Sequence, residues 1–307
     1  MTLKTHVDRY VALKRHLGFK FLNNERMLRS WAAFAMTRGD DVIVADTMIG
    51  WARDASSPAF ARKRLSVGRR FAVWLHAEDQ RHEIPPNDVL GPTTPHRPAP
   101  HLLTNAEIRS LMAAALSLPP AGAITPHTWH CIIGLMATTG LRRCEVCALR
   151  LTDITPDGLV VRETKFNKSR LVALHRSTVD ALGRYLTMRQ RCGAASEHLF
   201  VLSTGRAINP DIVTGMFVKL ARRVGLRGGP GEPGPRLHDL RHRFAVRSLE
   251  HAVATDRDSA NRHMLALATD LGHNNVSSTY WYLEATPVLL CHIAREAERA
   301  HARRALP

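Results

Sequence analysis

Between Leu237 and Tyr282 the chain carries four groups suited to handling a single phosphodiester. The stretch opens Leu237-His238-Asp239-Leu240-Arg241 and closes Leu271-Gly272-His273, with Tyr282 nine positions further on. In a helix, His238 and Arg241 share a face, so an imidazole and a guanidinium can meet the same oxygen atoms. A guanidinium offers a planar donor fork that matches phosphate. Leu271-Gly272-His273 reads as a helix end with Gly at the C-cap, which sets His273 just past the turn. Tyr282 supplies a hydroxyl that could act as a nucleophile.

A second guanidinium belongs to this chemistry. Thr138-Thr139-Gly140 is a turn signal, so Arg142 falls near the start of the next helix, where backbone N–H groups and the positive dipole end also favour an anion. Glu145, three residues on, is placed to hold the Arg142 side chain. Attack on a phosphodiester requires neutralising its oxygens as phosphorus becomes five-coordinate. Arg142 and Arg241 can do this by clamping the non-bridging oxygens, the task metal ions perform in other phosphoryl-transfer sites. A phenol ionises near pH 10, so the attacking tyrosine needs a base or a strong local field. Tyr280 competes with Tyr282, but two helical positions differ by roughly 200° of rotation, so the pair cannot both face one phosphate.

These residues resemble the signature of the tyrosine recombinases, also called phage-type integrases. Thr139-Gly140-Leu141-Arg142-Arg143-Cys144-Glu145 resembles their first box, Thr-Gly-Leu-Arg-x-x-Glu. His238-x-x-Arg241, Leu271-Gly272-His273 and the offset to Tyr282 resemble the second. Lys165-Phe166-Asn167-Lys168-Ser169-Arg170 is similar to the family's Gly-Lys-Gly-x-Lys-x-Arg hairpin, with Thr164 and Phe166 where glycine is usual. Tyr280 to Pro287 looks like a transposon-associated branch. The resemblance implies a site-specific DNA recombinase that makes a covalent 3′-phosphotyrosine, with neither metal nor ATP. The implied catalytic set is Arg142, Lys165, His238, Arg241, His273 and Tyr282. Lys165 is the implied general acid toward the leaving 5′ oxygen, with Lys168 as the alternative, and the two histidines assist proton transfer. Two other functions remain open: a topoisomerase-like enzyme using the same chemistry, and a non-catalytic DNA-binding accessory protein.

The elements that must position these groups read as mainly helical with a small β-hairpin, an α+β chain. Residues 1–84 predict four helices, broken at Gly18, at Gly39-Asp40-Asp41 and before Ser57-Pro58, an N-cap with proline in the first turn. The fourth carries Arg62, Lys63, Arg64, Arg69 and Arg70 between its apolar positions. By resemblance this is a core-binding domain whose basic helix meets DNA, together with Lys168 at the hairpin tip. Pro85, Pro86, Pro92, Pro95, Pro98 and Pro100 mark residues 85–102 as an extended linker. The catalytic domain is expected over 103–307, opening on a helix with Thr104 at the N-cap and Glu107 three residues later. A buried helix is expected over Trp129 to Met136, and strands at Leu159 to Glu163 and Arg170 to Leu174. Helices follow at Thr178 to Arg191 and Asp211 to Val224. Thirty-five positions separate His238 from His273, and the polar stretch Thr255 to Arg262 predicts an elaborated loop. A final amphipathic helix from Pro287 carries Leu289, Leu290 and Ile293; by resemblance it docks on a neighbouring protomer, building a tetramer on synapsed DNA.

Composition agrees with a polyanion partner. The 307 residues hold 43 basic and 27 acidic side chains, a net +16, of which +6 lies in the first hundred residues. A surplus in both halves suits two domains touching one nucleic acid. Five cysteines without a repeating framework favour reduced thiols, and Cys144-x-x-Cys147 lacks the second pair a zinc site needs. No apolar run is long enough to span a membrane, and no signal-peptide core opens the chain. A bacterial cytoplasmic protein acting on DNA is the expectation, without cofactor.

Overall fold

A computed structural model describes residues 2–91, 100–162, 169–252 and 257–272, with the backbone alone for 251–252 and 257–261. The chain divides into two compact units, 1–97 and 98–307.

The first unit is four helices, α1 (Leu3–His16), α2 (Leu22–Thr37), α3 (Ala45–Arg53) and α4 (Pro58–His76). Thr2 and Ser57 cap α1 and α4 by accepting from the Thr5 and Phe60 amides, so two of the orphan donors at those ends are satisfied. Val7, Tyr10 and Val11 of α1 bury against Leu28 and Trp31 of α2, Met48 and Trp51 of α3, and Leu65, Phe71 and Leu75 of α4. Tyr10 meets Phe71 edge-on with ring centroids 5.3 Å apart, a favoured aromatic geometry. Gly68 lets α4 approach α3 closely, because a Cβ there would lie 2.5 Å from the Met48 sulfur.

The second unit opens on α5 (Asn105–Leu116), started by a full capping box. The Thr104 hydroxyl accepts from the Glu107 amide at 3.2 Å, and the Glu107 carboxylate accepts from the Thr104 amide at 2.6 Å. Next comes α6 (Ile124–Thr139), longer at its start than the expected Trp129 to Met136, because Pro126 is tolerated in a first turn. Trp129, Ile132, Ile133, Leu135 and Met136 make it the axis of the core. It ends at Gly140 in the left-handed region (φ +63), where a Cβ would lie 2.6 Å from Phe244 Cδ1. A short helix α7 (Arg143–Ala148) follows, then an antiparallel sheet of β1 (Ile154–Thr155), β2 (Gly158–Val161) and β3 (Arg170–Val172) in that order. Leu159 pairs with Val172 and Val161 with Arg170, so the two expected strands are antiparallel neighbours. The hairpin tip, with Lys165 and Lys168, lies outside the described residues.

Helices α8 (Arg176–Arg191), α9 (Pro210–Arg223), α10 (Leu237–Ala252) and α11 (Arg257–Asp270) complete the described part. The mainly helical architecture with one small sheet is the fold class the sequence predicts. The expected loop at Thr255 to Arg262 is corrected: from Arg257 onward this segment is the start of α11. Its polar composition concealed the helix, which is recruited further on, where Met264, Leu267 and Leu271 bury against Ala245, Val246 and Leu249 of α10. Among the described residues no helix is long and apolar enough to cross a membrane.

Candidate active site

The last carbonyls of a helix lack intrahelical partners and carry the negative end of its dipole. At the end of α11, three consecutive carbonyls each receive a different arginine. Arg170 Nε donates to Asp270 O at 2.7 Å, Arg241 Nη2 to Leu271 O at 2.6 Å, and Arg142 Nη2 to Gly272 O at 2.9 Å. Gly272 makes room for them with φ +61; a Cβ there would sit 3.0 Å from Arg170 Nη1 and 3.3 Å from Arg142 Nη1. His273 is the next residue in the chain.

Each arginine arrives from a separate element. Arg142 is the N-cap residue of α7, delivered by the Thr139-Gly140-Leu141 turn, in which the Thr139 hydroxyl accepts from the Leu141 amide. Arg241 lies one turn into α10, whose start is fixed by Asp239 accepting from the Arg236 amide at 2.8 Å. Its side chain is 1% exposed, and Nη1 donates to Gly140 O at 2.7 Å, tying α10 to the end of α6. Arg170 opens β3. Arg143, beside Arg142, turns instead to Asp211 and Thr214 of α9.

Glu145 anchors the cluster. Its carboxylate accepts from Arg142 Nη1 at 2.7 Å, the Arg142 amide at 2.9 Å, and Arg170 Nη1 and Nη2 at 3.1 and 2.8 Å. Burial alone would raise its pKa, but the hydrogen bonds from Arg170 and from the Arg142 amide prevail and hold the carboxyl below its ordinary value. The Arg142 to Glu145 contact is the one the i, i+3 spacing anticipates.

His238 stands on the same helix as Arg241, its ring edge-on to His242 with centroids 4.5 Å apart. Surrounding protein, then the Arg241 charge, pushes the imidazole down to about 4, with Arg142 acting in the same direction. His238 is therefore neutral near pH 7 and able to take a proton. Of the six expected catalytic residues, the structure brings Arg142, His238 and Arg241 into one region; Lys165, His273 and Tyr282 lie outside the described residues. Arg170 was not among those six. The signal for it was its place at the end of the Lys165 to Arg170 motif, opening an apolar strand. Cys147 packs in the core with its thiol pushed up to about 12 by burial.

In the first unit the five basic residues of α4 have different surroundings. Arg64 donates to Trp51 O at 3.0 Å and lies over the Trp51 and Phe60 rings, while Arg69 donates to Pro85 O at 3.0 Å. Arg62 is half-buried, and Lys63 and Arg70 are exposed.

The model of the phage integrase family matches residues 101–287. A Sinorhizobium fredii protein bearing the name integrase/recombinase y4rB is 37% identical across 97% of this chain and 98% of its own length. The tyrosine recombinase XerC of Neisseria meningitidis is 30% identical, covering 87% of this chain and 81% of that protein. Among solved structures, a λ integrase dimer bound to a COC′ core site aligns with a TM-score of 0.62 at 19% identity, over 94% of this chain and 97% of that one. The Tn1549 transposon integrase in complex with transposon right end DNA aligns over the whole of both chains, with a TM-score of 0.64 at 17% identity. The structural likenesses establish the fold, and the sequence relationships establish the class, which is the tyrosine-type site-specific recombinases. The chain belongs to the phage integrase family.

Proposed function

We propose that this chain cuts and rejoins duplex DNA at specific sites through a covalent 3′-phosphotyrosine on Tyr282. The observation that carries the proposal is the meeting of Arg142 and Arg241 at the adjacent carbonyls of Gly272 and Leu271. Fixed guanidinium groups of this kind stabilise charge as it develops on the non-bridging oxygens, without reorganising during reaction. Tyr282 attacks phosphorus, the 5′ oxygen leaves with a proton from Lys165 or Lys168, and His238 and His273 bind phosphate oxygens and assist proton transfer. The linkage retains the energy of the broken bond, so a new 5′ hydroxyl is joined by reversal of the same steps.

In this reading residues 1–84 form a core-binding domain, 85–102 a linker and 103–307 the catalytic domain. Arg62, Lys63, Arg64, Arg69, Arg70 and Lys168 meet the backbone phosphates, with Lys63 and Arg70 offering the most exposed charge on α4. The helix beyond Pro287 docks on a neighbouring protomer, and four copies assemble at synapsis; a λ integrase tetramer bound to a Holliday junction is among the structures with this fold. The site of action is DNA in a bacterial cytoplasm. The test is to incubate the chain with duplexes carrying a nicked suicide site and map the modified residue. An adduct on Tyr282 is expected; an adduct on any other residue, or none on every candidate site, overturns the reading.

A further inference from the structure

We propose that Arg170 is a positioning residue for strand cleavage, acting through Glu145 to hold Arg142 in place and to keep its charge available to the phosphate. The inference rests on the function proposed above. Arg170 is almost buried, with its side chain 9% exposed, and all three of its guanidinium nitrogens are engaged. Two of them grip both oxygens of Glu145, while the third reaches Asp270 O.

Two effects follow from that geometry. A carboxylate has about four acceptor sites, and Glu145 uses them on Arg142 and Arg170 alone. The bidentate grip fixes the carboxylate plane, and the plane aims the Arg142 guanidinium. The second effect is electrostatic. Glu145 carries one negative charge, and with Arg142 as its sole partner it would cancel the cation meant for the phosphate. Arg170 balances that charge, so the cluster retains a net positive field where the non-bridging oxygens sit. Arg170 also donates to Asp270 O, which joins β3 to the end of α11.

The experiment uses the 307-residue chain and nicked suicide duplexes that the unaltered chain captures covalently from a randomised DNA pool. Each duplex is made with an ordinary scissile phosphate and with a methylphosphonate, whose non-bridging methyl removes the charge the arginines neutralise. Arg170→Ala is expected to slow adduct formation about 10- to 100-fold at saturating DNA, the usual cost of a misplaced catalytic group, while binding to the duplex changes little. On the methylphosphonate the deficit should largely disappear. Equal losses in binding and rate, a deficit that persists on the neutral substrate, or an unaltered rate would each overturn the proposal. Should Arg170→Ala lose cooperative melting, Arg170→Lys carries the same test, because it keeps one charge while losing the fork. If the unaltered chain captures no duplex, the proposed function fails and takes this inference with it; capture followed by a normal Arg170 variant removes the inference alone.

Discussion

Arg142 and Arg241 donate to neighbouring carbonyls of one turn, Gly272 O at 2.9 Å and Leu271 O at 2.6 Å, although they start from different helices. Main-chain oxygens therefore hold one nitrogen of each guanidinium, and the Glu145 carboxylate sets the orientation of Arg142. Replacing Arg142 by Lys keeps a charge but loses the planar fork that spans Glu145 and Gly272 O. Adduct formation should fall about 10²- to 10³-fold, the range seen when one oxyanion donor is removed, with melting temperature changed far less. Single-turnover assays beside thermal melting check this.

Tyr282→Phe should abolish covalent adducts and leave DNA binding intact, while Tyr280→Phe keeps them. Denaturing gels of labelled duplex, run beside mobility-shift assays, read both properties. A persistent adduct in the Tyr282 variant would refute the assignment.

His238 titrates low in the free protein, at about 4 against an ordinary value of 6.5. Between these values the unfolded chain binds the proton and the folded chain does not, so the folded state loses stability as pH falls from about 6.5 to 4. The neighbouring His242 is pushed down to about 4 as well, by burial first and then by the charge on His238, and contributes in the same sense. A phosphate anion at the site favours imidazolium, so bound DNA should move the His238 transition upward. Histidine ring NMR across pH 4 to 8, with and without DNA, measures the shift; an unmoved transition would place His238 away from the phosphate.

Gly272→Ala introduces a Cβ 3.0 Å from one arginine nitrogen and 3.3 Å from another, at φ +61. The strain of a left-handed non-glycine residue is about 1 kcal/mol or more, and the crowding falls on Arg170 and Arg142 together. The variant should melt earlier and cleave at least about 10-fold more slowly. The same substitution at Gly215 meets open space and should do neither.

Local signals in the sequence carried far. Thr104 with Glu107, Ser57 with Pro58, and the Gly140 stop are decided within a few residues, so capping chemistry and left-handed φ expose them directly. Arg142 with Glu145 is likewise a contact along one helical turn. Arg170 was harder to see because its partners, Glu145 and Asp270, lie far away along the chain, and no periodicity links a strand residue to a carboxylate on a helix. The start of α11 misled for a different reason, since Arg257 to Arg262 is polar in composition and the apolar positions that pack on α10 begin at Met264. In α4 the five basic residues look alike in the sequence, whereas Arg64 and Arg69 each give one nitrogen to a main-chain carbonyl of their own unit and Lys63 and Arg70 are exposed. Charge alone does not distinguish those uses.

The acceptors at 270, 271 and 272 are peptide oxygens, and substitution cannot delete a peptide oxygen. The side chain at position 270 can thus vary while the cationic lattice keeps its dimensions, provided Leu271 still fills the core against α10 and position 272 stays bare. A catalytic apparatus anchored in this way can be carried unchanged while the surfaces that choose a target are rebuilt around it, which is a useful property for anyone redirecting such a protein to a new stretch of chromosome.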